Sequence, residues 1–88
     1  MRLLYTSQFK KDFKRIRSQG KNISQLEILI ETLLKKQQLD AKYHDHKLGG
    51  KWQNHRDCHI EPDWLLIYRR TEEELVLERT GSHAELFK

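Results

Sequence analysis

The sequence predicts an α+β fold, with two N-terminal helices packed on a mainly antiparallel β-sheet and a short C-terminal helical turn. Three observations carry that expectation. Apolar residues recur at helical spacing between Phe9 and Leu34. Three strand-like runs separated by tight turns follow between His55 and Thr80. The 88 residues suffice for one core and leave little for a second, so a single domain over 1–88 is expected.

Taken in order, Arg2 to Thr6 is a short strand, closed by Ser7 as a helix N-cap. Phe9, Phe13 and Ile16 stand at i, i+4 and i+7, one apolar stripe, and Gly20 ends that helix. Asn22 or Ser24 starts the second helix, whose buried face is Leu26, Leu29, Ile30, Leu33 and Leu34. Lys35 and Lys36 lie at its C-terminus, where the helix dipole favours cations. Residues 37–54 are polar, contain Gly49 and Gly50 and show no period, so they read as a long loop, functional or mobile. Strands follow at His55 to Ile60, Trp64 to Arg70 and Leu75 to Thr80. Glu61-Pro62-Asp63 forms the first turn between them. Gly81 breaks the last strand, and His83 to Lys88 is a short tail.

Composition narrows the function. Apolar residues make up 36% and charged residues 34%, and no run approaches the roughly 18 apolar residues a membrane span needs. One cysteine, Cys58, cannot form an intramolecular disulfide, and the N-terminus lacks a signal-peptide core; a cytoplasmic protein is expected. Cys58 should pack as a small apolar group. The net charge of +4 is uneven: Lys10, Lys11, Lys14, Arg15, Arg17 and Lys21 cluster against Asp12 alone. Lys42, Lys47, Lys51 and Arg56 form a second basic group. Such patches attract phosphate backbones or acidic partners, unless they are only a solvated helix face.

A meander brings the chemistry together. The end of its first strand, the start of its second and the end of its third share one edge, which collects His59, Asp63 with Trp64, and Arg79. If Arg70 pairs near Glu74, Trp64 falls opposite Thr80 and Asp63 opposite Gly81, with His83 close behind. Strand alternation puts Arg79 in a row with Leu77 and Leu75, a buried stem with an exposed head or a structural ion pair. Histidine, carboxylate and arginine together suit metal-independent cleavage of an RNA phosphodiester. The ribose 2′-OH attacks phosphorus, and a base, an acid and a positive clamp are required. Trp64 and Phe87 could stack on bases, although Trp64 also reads as core. His44-Asp45-His46 supplies two ligand types in a loop and does not complete a metal site, so no metal or cofactor is expected.

Three runs then carry a resemblance: Asp45 to Trp52, Arg56 to Tyr68, and Glu78 to Phe87. Together they resemble the YafQ branch of the RelE superfamily, toxins of bacterial type II toxin–antitoxin systems, over essentially the whole chain. The resemblance implies a fold of the microbial ribonuclease type and metal-independent mRNA cleavage in the ribosomal A site. It places the active site on His46, His59, Asp63, Arg79 and His83, with Trp64 beside Asp63 and Phe87 against the nucleotide. By similarity His83 is the general acid and Arg79 the phosphate clamp, while His46, His59 and Asp63 all stand as candidates for the base. Lys51 and Arg56 join the substrate contacts. His44 and His55 lie outside the motif and are expected at the surface. Lys47 replaces a common proline, which loosens the loop. Implied partners are an acidic-tailed antitoxin, the ribosome with its 16S rRNA, mRNA, and operator DNA through the toxin–antitoxin complex. Two other readings remain: a non-catalytic ParE-like inhibitor of DNA gyrase, and a plain RNA-binding module.

Overall fold

The computed structural model describes residues 1–87; Lys88, the last residue of the expected tail, lies outside the described residues. Strand β1 (Arg2–Tyr5) leads into helices α1 (Ser7–Ser18) and α2 (Ile23–Leu34), then strand β2 (His46–Lys47). Strands β3 (Arg56–Glu61), β4 (Trp64–Arg70) and β5 (Glu74–Gly81) form the meander, and α3 (His83–Leu86) closes the chain. The sheet order is β1-β5-β4-β3-β2, parallel only where β1 meets β5. The α+β architecture matches the expectation.

Helix ends follow local chemistry. Thr6, not Ser7, caps α1: its hydroxyl accepts from the Phe9 N–H at 2.9 Å. Gly20 sits at φ 78° after the last turn, and the N–H groups of Gly20 and Lys21 return to the Arg17 and Ile16 carbonyls. That is the Schellman closure, which needs a left-handed residue. Asn22 caps α2 by accepting from the Ser24 N–H. Lys36 ends α2 the same way as Gly20 ends α1, but with a lysine at φ 57°.

The long polar segment is not structureless. It holds two 3₁₀ turns, Ala41–Tyr43 and Gly50–Trp52, and β2 between them pairs His46 with Asp57 and Lys47 with Arg56. Asp45 pins it, accepting from the Tyr68 hydroxyl at 2.7 Å and from two nitrogens of Arg56. The lack of a period in the sequence reflects short elements held by side chains, a pattern that periodicity does not register.

Strand β4 explains the one continuous apolar run. Trp64 to Tyr68 are all fully buried because both faces of the sheet are covered. Trp64, Leu66 and Tyr68 pack with Leu75, Leu77 and Cys58 under Phe9, Ile16, Leu26, Leu29 and Leu33 of the helices. Leu65 and Ile67 pack on the other face with Leu86 of α3 and with Leu48 and Trp52.

Register departs from the simple meander. Arg70 pairs with Leu75, and Glu78 is an extra residue between Leu77 (opposite Tyr68) and Arg79 (opposite Ile67). Thr80 therefore faces Leu66 and Gly81 faces Leu65, so the expected Trp64–Thr80 and Asp63–Gly81 pairs are not formed. The bulge also breaks the alternation that put Arg79 in a row with Leu77 and Leu75. A second irregularity at Ile60 lets Glu61 meet Trp64 across the Pro62–Asp63 turn.

Candidate active site

Cross-strand pairing decides which face carries the polar set. Asp57 lies opposite Ile67 and His59 opposite Leu65, so both occupy the face away from α1 and α2. There His59 is the centre of a row. Its ring centroid is 5.5 Å from His83, 5.5 Å from His44 and 6.4 Å from His46. Phe87, 39% exposed, extends the row 6.5 Å beyond His83. The structure thus gathers His46, His59, Asp63, His83 and Phe87, which the sequence had spread over more than forty positions.

The hydrogen bonds give the members different characters. Asp63 accepts from the His83 backbone N–H at 2.9 Å and from His83 Nδ1–H at 2.6 Å. These bonds hold the Asp63 carboxyl below its usual range. They also fix the His83 tautomer and leave Nε2 as the free nitrogen. His59 is pushed below the ordinary histidine value by burial; Asp57 opposes that shift, and the neighbouring His83, His44 and His46 add to it. Burial thus disfavours the charged form of His59, beside a His83 backed by a carboxylate.

His46 turns toward Asp57 on the same face. Its Nδ1–H donates to the His44 carbonyl at 2.7 Å and its Nε2 lies 3.1 Å from Asp57 Oδ1. Asp57 is buried, which raises its carboxyl pKa, while His46, His59 and His83 pull it down.

Four expectations need correction. Trp64 is fully buried and its indole N–H donates to Thr80 Oγ1 at 2.9 Å, so it supports the site from beneath and offers no face for a base. Arg79 is not a free clamp: Nε and Nη2 donate to both oxygens of Asp12 at 2.7 and 3.1 Å, which raises the guanidinium pKa. Arg56 is likewise tied to Asp45. His55 is not idle surface: half-buried, it meets Trp52 edge-on and Glu78 at 3.1 Å. His44 is exposed, as expected, and its ring meets His59 edge-on. Lys51 is exposed.

Asp57 and Asp12 were missed. Asp57 stands two residues before His59 on the same strand, so alternation alone puts the two side chains on one face. Asp12 carried a different signal, as the lone acid within the basic helix. Cys58 is buried, as expected, and burial drives its thiol pKa up.

Asp12 takes the place of a missing strand. β1 ends at Tyr5, and beyond it the edge of β5 is satisfied by α1 side chains. Thr6 Oγ1 donates to the Glu78 carbonyl, the Thr80 N–H donates to Asp12, and Arg15 Nη2 donates to the Thr80 carbonyl. Arg15 also pairs with Glu85, which accepts from the Ser82 N–H and completes the cap of α3. The helix that begins with His83 is therefore fastened to α1.

The model of the bacterial toxin of type II toxin–antitoxin system, YafQ, matches residues 1–88. The chain belongs to the YafQ toxin family. An mRNA interferase toxin YafQ from Escherichia coli strain K12 is 44% identical over 84 residues, 94% of this chain and 91% of the relative. The crystal structure of YafQ from E. coli BL21(DE3) superposes with a TM-score of 0.95 at 41% identity, covering 100% of both chains. The YafQ of an E. coli DinJ–YafQ complex gives 0.93 at 42% identity over 100% of both chains. A copper-bound mutant toxin from Helicobacter pylori gives 0.94 at 45% identity over 99% of both chains. Within this chain, among the described residues, no three His, Cys, Asp or Glu side chains are arranged to hold a metal ion, and no helix is long and apolar enough to cross a membrane.

Proposed function

We propose that this YafQ family toxin is an endoribonuclease that cleaves mRNA in the ribosomal A site by metal-independent attack of a 2′-OH on the adjacent phosphate. The observation that carries the reading is an Asp63-backed His83 with its ring 5.5 Å from that of His59, whose charged form burial disfavours. His59 takes the 2′-OH proton as that oxygen bonds to phosphorus. His83 Nε2–H protonates the 5′-oxygen as its bond to phosphorus breaks. The products are a 2′,3′-cyclic phosphate and a 5′-hydroxyl, with no change of oxidation state.

The remaining residues take supporting roles. Asp63 holds the His83 ring and steadies its imidazolium, so it is not the base. Asp57 and His46 form the wall behind His59. Phe87 stacks on the nucleotide beside His83. Arg79 keeps Nη1 outside its bonds to Asp12, and that donor is left for a phosphate oxygen. Lys51 meets the RNA backbone. A cognate antitoxin, as DinJ is to E. coli YafQ, is the expected protein partner. Operator DNA is reached only through that complex, and the working compartment is the cytoplasm.

The test is to map mRNA 5′-ends in a translating extract, with and without ribosomes, for wild type and His83→Ala. Codon-phased cuts that need ribosomes and drop by about 10²–10⁴ in the variant support the reading. Intact mRNA with arrested replication would instead favour a gyrase inhibitor.

A further inference from the structure

The histidine row opens onto a cavity whose far side the mechanism leaves unfilled. It measures about 770 Å³, within the roughly 300–1,000 Å³ range of ligand clefts. His44, His46 and His59 form the wall shared with the row. From there it runs around the end of β3 to α2, between Ile28, Tyr43, Lys42 and Glu61. We propose that this cavity is a base-binding subsite for the nucleoside on the side of the cut away from Phe87, and that it disfavours uridine. The inference rests on the RNA-cleaving reading above and names how that site selects its substrate.

Continuity with the row gives the occupant. Phe87, His83, His59 and His44 follow one another at 6.5, 5.5 and 5.5 Å. An RNA strand whose scissile phosphate lies at His59 and His83 places one nucleoside at Phe87. The next nucleoside along the strand falls at the cavity.

The lining chemistry fits a base. Ile28 is 58% exposed on α2, an apolar side chain held in water at the cavity rim. Tyr43 is anchored on the helix-side core and presents a ring, and bases stack on such rings whatever their identity. The Lys42 ammonium lies over that ring, 5.2 Å from its centroid, so a stacking base takes its place and frees the cation for a phosphate. Glu61 supplies selection. Its carboxylate only accepts hydrogen bonds, and its one ion-pair contact among the described residues is Lys21 at 3.8 Å. Adenine, guanine and cytosine offer exocyclic amino groups to such an acceptor. Uracil offers in their place a single N3–H flanked by two carbonyl oxygens, which an acceptor-only carboxylate repels.

The experiment uses the full chain on ribosomes programmed with mRNAs that differ only at the nucleotide expected in the cavity. Wild type is compared with Tyr43→Leu, Ile28→Glu and Glu61→Gln, each checked for folding by thermal melting. Ile28 is exposed, so its variant reports on binding even if Tyr43→Leu is unstable. The expected result is a roughly tenfold higher half-saturating concentration for Tyr43→Leu and Ile28→Glu, with the turnover number little changed. For Glu61→Gln the bias against uridine should shrink. Active wild type with all three variants unchanged in affinity and base pattern would overturn the subsite and leave the nuclease reading intact. Wild type that cuts no RNA would overturn the nuclease reading itself, and the subsite with it.

Discussion

Asp12 shows how one side chain joins stability to the site. It is fully buried, and burial alone would raise its carboxyl pKa. Hydrogen bonds from Arg79, Gln8, the Thr80 N–H and Arg15 outweigh that and hold it below the usual carboxylate value. An acid whose folded-state pKa is depressed stabilises the fold fully above its unfolded pKa, near 3.9, and loses that contribution as pH falls through the lower folded value. Asp12→Ala should therefore cost about 3–5 kcal/mol at neutral pH, because it strands Arg79 and the Thr80 N–H. It should also flatten the acid limb of the stability curve below pH 4, measured by urea denaturation across pH. Asp57 has the opposite sign. Burial raises its folded pKa, so the charged form opposes folding at neutral pH. Asp57→Asn should raise the melting temperature at pH 7 while lowering cleavage, and a lower melting temperature would contradict that assignment.

At the scale of elements, α3 depends on its entry. Gly81 has φ 157°, and a Cβ there would sit 2.4 Å from Arg15 Nη2 and 2.8 Å from Glu85 Oε1. Those two atoms belong to the network that caps α3 and ties it to α1. Gly81→Ala should cost about 1–3 kcal/mol by crowding and lower the turnover number more than the affinity, since His83 is the first residue of the helix. Steady-state kinetics beside thermal melting separates the two effects. Much at this scale was legible beforehand. The stripes Phe9–Ile16 and Leu26–Leu34, the Pro62–Asp63 turn and the three long strands all stand. β2 and the bulge at Glu78 were not legible, because neither leaves a period. β2 exists through Asp45 holding Tyr68 and Arg56, and the bulge through α1 side chains satisfying the free edge of β5. Both are long-range contacts.

For the whole molecule, the sheet's two covered faces divide the work. One face carries the helices and the main core, and the other carries the histidine row between α3 and β2. The sequence brought His59, Asp63 and His83 to one edge by meander logic alone. His46 came only through the family resemblance, and Asp57 and His44 came only with the structure. The basic surface is narrower than the residue count implied, since Arg15, Arg56 and Arg79 are engaged in ion pairs while Lys10, Lys11, Lys14 and Arg17 are exposed. Replacing Lys10, Lys11 and Lys14 with alanine should weaken ribosome association and reduce its salt dependence, by about one unit of slope per phosphate-contacting lysine. An unchanged slope in a salt titration would exclude this face as the RNA contact.

On the proposed mechanism, His59 and His83 pass protons in a 2′-OH displacement. That mechanism is tested most directly by placing a single 2′-deoxynucleotide 5′ to the scissile phosphate of an A-site codon and analysing the ends produced on ribosomes. The all-ribose message should yield a 2′,3′-cyclic phosphate and a 5′-hydroxyl, and the deoxy message should stay intact. Cleavage of the deoxy message, or products ending in a 5′-phosphate, would contradict the mechanism.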